Sequence, residues 1–195
     1  MTWFVVLFVV ATAPGVFILW FAYHSVGTER REFTLPVLVT FMAGCVAVVP
    51  AAVIEGIAVP HLQHVVTGTI LQALAIAFCV VAPTEELSKL LAMGISLRWS
   101  RGPGDSRDGV IFGVAAAMGF ATVENILFVM ELGFSAGLLR AFLSVPVHGV
   151  CGGAVGYALG KGAERQKGRV FITLAGLGSA ILFHGLFDGI LLMQS

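Results

Sequence analysis

Among the ionisable side chains that interrupt runs of otherwise apolar residues, seven stand out. Glu85, Glu86 and Lys89 share one run, Glu124 lies in the next, His148 in the next, and His184 with Asp188 in the last. Charged groups are costly in hydrocarbon and face a bundle interior or a water-filled cavity, so each is a functional candidate. Two spacings matter. Glu85 and Lys89 are four apart, which sets the ammonium beside that carboxylate on a helix, while Glu86 projects about 100° away. His184 and Asp188 repeat the interval of four, so the carboxylate can fix the imidazole tautomer or join it in gripping a substrate or metal. The chemistry these groups can do is hydrolytic. A Glu shielded from bulk water can take a proton from an attacking water, and His or Asn125 can stabilise the oxyanion formed at a carbonyl. Alternatively Glu86, Glu124, His148 and His184, contributed by several helices, could hold a zinc ion that polarises both water and carbonyl.

The elements that must position these groups are membrane helices. Of the 195 residues 58% are hydrophobic and only 11% charged, against about 25% charged in an ordinary soluble domain. The apolar runs reach the ~20 residues needed to cross ~30 Å of hydrocarbon. The expected fold is all-α, a polytopic bundle of six transmembrane helices near residues 3–23, 33–55, 66–97, 109–130, 136–160 and 171–193, forming a single integral membrane domain over 1–195. The third is too long for a simple span, and Pro83 inside it should kink or divide it. The first run has no preceding Lys or Arg and is too long for a secretory core, so it reads as a retained helix.

Basic residues alternate between loops. Arg30 and Arg31 occupy the first, Arg98, Arg101 and Arg107 the third, and Lys161, Arg165, Lys167 and Arg169 the fifth, with none in the second or between Met130 and Leu139. By the positive-inside rule the odd loops face the cytoplasm and both termini face outward. Counting 1.5 Å per residue from Arg98, Asp108, Lys161 and Arg169 puts Glu85, Glu124, His148 and His184 all at about 20–24 Å. The polar groups of four helices thus converge on one level. Gly109, Gly113, Ala117 and Ala121, with Gly152, Gly156 and Gly160, make small-residue stripes suited to close packing of the fourth and fifth helices. Cys45, Cys79 and Cys151 have no paired spacing and read as core packing. Balanced charge gives no sign of nucleic-acid binding.

Two protease-like signatures fall in predicted loops: Gly133-Phe134-Ser135-Ala136-Gly137 and Gly102-Pro103-Gly104-Asp105. Both read as turn chemistry. His24, His61 and His64, near predicted loops, read as solvated, and Glu55 and Glu131 as groups reaching the interface from helix ends.

In order along the chain stand Pro83-Thr84-Glu85-Glu86-Leu87-Ser88-Lys89, Asp108-Gly109, Gly119-Phe120-Ala121-Thr122-Val123-Glu124-Asn125, Pro146-Val147-His148-Gly149 and His184-Gly185-Leu186-Phe187-Asp188. This ordered set, over roughly residues 80 to 190, resembles the PrsW family of intramembrane proteases, relatives of the CPBP group that includes the CAAX prenyl proteases. The resemblance implies a bacterial multi-pass membrane protease whose substrate is a membrane-anchored protein, similar to the enzyme that makes the first cut in an anti-sigma factor. It implies that the Glu-Glu-x-x-Lys pair, here Glu85 and Glu86, is catalytic. The relatives' Phe-x-x-x-His and His-x-x-x-Asn motifs correspond to Phe120 to Glu124 and His184 to Asp188, with Glu and Asp replacing His and Asn. Family members are often described as metalloproteases, which leaves two forms of the site open, one with Zn2+ and one with a metal-free, Glu-activated water. The residues alone also fit a proton- or ion-coupled transporter using the same carboxylates and histidines, or a noncatalytic scaffold.

Overall fold

A computed structural model describes residues 2–25, 34–99 and 103–194. Arg30, Arg31, Arg101 and Gly102 lie outside these described residues. Among the described residues every regular element is helical: α1 (Thr2–Ser25), α2 (Thr34–Val65), α3 (Thr69–Ile76), a π-helical turn (Ala77–Val81), α4 (Ala82–Trp99), α5 (Ser106–Leu132), α6 (Phe134–Phe142), α7 (Ser144–Arg165) and α8 (Arg169–Leu192). Six segments are long and apolar enough to cross a membrane, namely α1, α2, α3 with α4, α5, α6 with α7, and α8. The expected six-helix membrane fold is therefore present, and the chain is a multi-pass membrane protein.

The bundle is organised around α5. Most of its circumference is buried, whereas α1 and α8 expose most of their apolar surface. Exposed apolar side chains cost nothing in lipid, so the outer helices carry Val, Phe and Leu on every side. On α5 the small residues are what make burial possible. A Cβ added to Gly113 would overlap the carbonyl oxygen of Gly152 on α7, and one added to Gly109 would overlap that of Gly156. The stripes expected from the sequence are the contact between these two backbones. Beside them Phe112, Ile111, Met93 and Leu177 fill the core, and a buried hydrogen bond of 2.7 Å joins Thr40 Oγ1 and Ser96 Oγ across α2 and α4.

Three boundaries differ from the sequence expectation. The second helix continues ten residues past 55, through Pro60 to Val65, so His61 and His64 are helical and Glu55 is not at a helix end. Neither Pro50 nor Pro60 ends it. The long third segment is interrupted near Pro83, as expected. A π-helical turn immediately upstream takes up the distortion imposed by a residue that has no N–H and whose ring crowds the carbonyl four back. The fifth segment is split at Leu143 into a short α6 and a full-length α7. At the head of α5, Asp105 is the N-cap, its Oδ1 accepting from the N–H groups of Arg107 at 2.8 Å and Asp108 at 2.9 Å. The acidic residue of the Gly-x-Gly-Asp signature is thus structural. Cys45, Cys79 and Cys151 are free thiols, and Cys79 is exposed rather than packed in the core.

Gly113→Ala is expected to lower stability in detergent by about 1–3 kcal/mol, as overpacking does in other well-packed interiors. Gly178→Ala, where an added Cβ meets nothing within 4 Å, should be neutral or stabilising. Unfolding midpoints of the two variants check the contact.

Candidate active site

The first turns of α4 carry Glu85, Glu86 and Lys89, and all three are buried, at 3, 1 and 3% exposure. An ammonium there can only donate, and it has acceptors on both sides. Lys89 Nζ lies 2.8 Å from Glu86 Oε1, 3.2 Å from Glu85 Oε2 and 2.8 Å from His148 Nδ1, and 4.6 Å from the centroid of the Phe120 ring. Three helices, α4, α5 and α7, therefore meet around one cation.

Because Lys89 donates to His148 Nδ1, the proton of that imidazole is on Nε2, which faces Glu124 Oε2 on α5 at 2.9 Å. His184 on α8 is held similarly, with Nδ1 2.8 Å from Glu86 Oε1 and Nε2 3.2 Å from Asp188 Oδ2. The two rings meet edge to face with centroids 4.9 Å apart. Glu85 Oε2 stands between them, 3.7 Å from His148 Nδ1 and 3.8 Å from His184 Nε2, outside hydrogen-bonding distance of either. All seven side chains singled out in the sequence are thus in one connected cluster contributed by four helices.

Within that cluster the carboxylates are not equivalent. Glu86 lies on the inner side, beside Lys89, Leu90, Met93 and the Gly113–Gly152 contact. Its Oε1 is shared by Lys89 and His184, and Oε2 is buried without a hydrogen bond. Glu85 faces the other way, into a cavity of about 200 Å³ between α2 and α5. Phe120, Phe128, Leu127, Val48 and Ala51 supply its apolar wall, and Glu55, Glu124 and Glu131 join Glu85 in its lining.

The donor set also suits a metal. Glu85, His148 and His184 each present a ligand atom within 4.8 Å of the others, and two His with one Glu is a known catalytic zinc set. The expected quartet is only partly assembled as ligands. His148 and His184 converge with Glu85, whereas Glu124 and Glu86 contact the other nitrogen of each imidazole. That is the place of the outer carboxylates which orient metal-binding histidines. Lys89 touches two of the three ligand residues.

Three residues depart from the sequence reading. Asn125 does not face the cluster; its amide donates to the Ala11 carbonyl at 3.2 Å and ties α1 to α5. Glu55 belongs to the cavity because α2 continues past it. Arg140 on α6, absent from the sequence candidates, has Nη2 2.6 Å from Glu124 Oε2 and its guanidinium 3.8 Å from the centroid of Phe128. Its signal in the sequence is a cation inside the fifth apolar run, opposite the one acidic residue within the fourth helix's interior.

Comparison with known proteins gives a consistent result. A family model described as PrsW family intramembrane metalloprotease matches residues 33–195. The chain is 31% identical over 193 residues to Protease PrsW of Halalkalibacterium halodurans, covering 97% of this chain and 85% of that protein. It is 31% identical over 190 residues to Protease PrsW of Shouchella clausii, covering 95% and 83% of the two chains. For Protease PrsW of Bacillus subtilis the values are 29% over 180 residues, 92% and 79%. No solved structure matches the chain.

Removal of the central cation should leave two buried carboxylates uncompensated. Lys89→Met is expected to destabilise the protein by about 3–5 kcal/mol, the usual cost of breaking a buried pair on one side. Lys161→Met, from the more exposed pair with Glu164, serves as the neutral control in the same unfolding assay.

Proposed function

The chain belongs to the PrsW family of intramembrane proteases, and from that premise we propose that Glu85 is the general base that activates the hydrolytic water. One observation carries this assignment: of the adjacent pair, Glu85 borders the cavity between α2 and α5, while Glu86 is bonded on the inner side to Lys89 and His184.

The enzyme hydrolyses a peptide bond in or near the membrane segment of a membrane protein. Water attacks the scissile carbonyl carbon as its proton passes to Glu85, forming a C–O bond and a tetrahedral oxyanion. An N–H of His184 beside Glu85 stabilises that oxyanion. The proton then moves from Glu85 to the amine nitrogen as the C–N bond breaks, giving a carboxyl end and an amino end. Glu86 and Asp188 hold the His184 ring, Lys89 offsets the charge of both glutamates, and Glu124 orients His148. Were Zn2+ bound, His148, His184 and one oxygen of Glu85 would hold it, and it would polarise the scissile carbonyl in place of the His184 N–H. The substrate class is a membrane-anchored protein of the anti-sigma-factor kind, as the family resemblance implies. Both termini face outward, because Arg98, Arg107, Lys161 and Arg165 flank the opposite ends of the spans.

Purified protein incubated with a library of membrane-anchored peptides tests the assignment. Glu85→Gln is expected to cut turnover by about 10²–10⁴-fold, the range of general-base catalysis. Retention of wild-type turnover by that variant, or an intact library with the wild type, would overturn the reading. Zinc binding, measured directly on the same preparations, should reach one ion per chain and be lost in His148→Ala and His184→Ala.

A further inference from the structure

Arg140 takes no part in the reaction above, yet it is fixed more tightly than its position requires. It stands on α6, whose Leu138, Leu139 and Phe142 are exposed on an apolar surface. A long cation near the end of a membrane helix ordinarily extends toward water. Arg140 instead turns inward: its side chain is 15% exposed, and that of Glu124 is 16% exposed. The guanidinium is stacked on Phe128, one turn beyond Glu124 on the same helix, so ring and carboxylate together set its plane.

The consequence falls on His148. Glu124 Oε2 is shared by Arg140 Nη2 at 2.6 Å and His148 Nε2 at 2.9 Å. Glu124 and Glu85 line the same cavity, and two carboxylates there repel each other. A cation on the far side of Glu124 opposes that repulsion and keeps Oε2 on the imidazole. With Nε2 so occupied, Nδ1 is the nitrogen directed at Lys89 and Glu85.

We propose that Arg140 is a positioning residue which, from the short helix α6, locks Glu124 against His148 and so fixes the imidazole nitrogen presented to Glu85. The effect on turnover rests on the proposed role of Glu85; the effect on His148 does not.

Two readouts separate these. In micelles, 15N spectra of histidine-labelled protein, with His148 assigned by its loss in His148→Asn, should show a single Nε2–H tautomer in the wild type. In Arg140→Ala the Nε2–H signal, no longer held on Glu124, should shift and broaden, while Lys89 keeps Nδ1 as the acceptor. Arg140→Lys keeps a charge for Glu124 and the fold but loses the planar guanidinium over Phe128, and should shift that signal to a smaller degree. With a membrane-anchored peptide that the wild type cleaves, Arg140→Ala should lower kcat by about 10- to 100-fold, as loss of other outer orienting partners does, with KM changed less than about threefold. Guanidinium salt should restore turnover to Arg140→Ala but not to Arg140→Met, whose side chain fills the space. An unchanged His148 signal in both Ala and Lys variants would overturn the proposal, as would turnover of Arg140→Ala equal to wild type. If the wild type cleaves no peptide, the assignment of Glu85 fails, and the His148 spectra still decide the role of Arg140.

Discussion

A buried ammonium in a membrane bundle has to be surrounded by acceptors, and Lys89 meets that demand with groups from two helices at once. Its three close partners are Glu86, Glu85 and His148, and Phe120 of α5 offers the face of its ring. In hydrocarbon there is no water to replace any of them. The position of α7 relative to α4 is therefore fixed by where His148 must stand, and the position of α8 follows through His184 and the shared oxygen of Glu86. The cluster is a structural requirement of the bundle before it is a set of reactive groups.

Close approach of backbones makes the arrangement possible. Where Gly109 and Gly113 face Gly156 and Gly152, α5 and α7 touch main chain to main chain. His148 sits one turn above Gly152 on α7, so this contact sets how near its imidazole comes to Phe120 and Glu124 on α5. Larger residues at these positions would part the helices at the level of the cluster. Packing by small residues thus has a chemical result, since a carboxylate-to-imidazole distance of 2.9 Å depends on it.

Much of this could be read from the sequence because the bilayer penalises polar groups so heavily. Seven ionisable residues inside apolar runs were enough to name the members of the cluster, and helical rise put them at one depth. Helix ends were less visible. Where every face of a helix is apolar, as in α1 and α2, no periodicity marks which side is buried or where the element stops. For that reason α2 passes Pro60 against expectation and carries Glu55 into the cavity. Rotation about the α4 axis was equally hidden: two adjacent glutamates differ by about 100° in direction, and only packing decides which one meets the cavity. The pairing of Arg140 with Glu124 depends on the turn at Gly133, after which α6 packs against α5.

The division between inner and outer groups bears on Glu124, one of the two positions where this chain departs from the CPBP motifs it resembles. At the end of Phe-x-x-x-His the CPBP proteases have an imidazole, and this chain has Glu124. The structure sets an imidazole beside that carboxylate all the same, from His148 on α7. His148 and His184 then share a plan: each has one nitrogen on a carboxylate from another helix, Glu124 for the first and Glu86 for the second, and another nitrogen within 4 Å of Glu85. A carboxylate behind an imidazole fixes its orientation and raises its basicity. Replacing His by Glu at position 124 therefore need not delete a donor from the site. Glu124 supplies the group that orients the His148 imidazole, and Glu85 is left flanked by two rings.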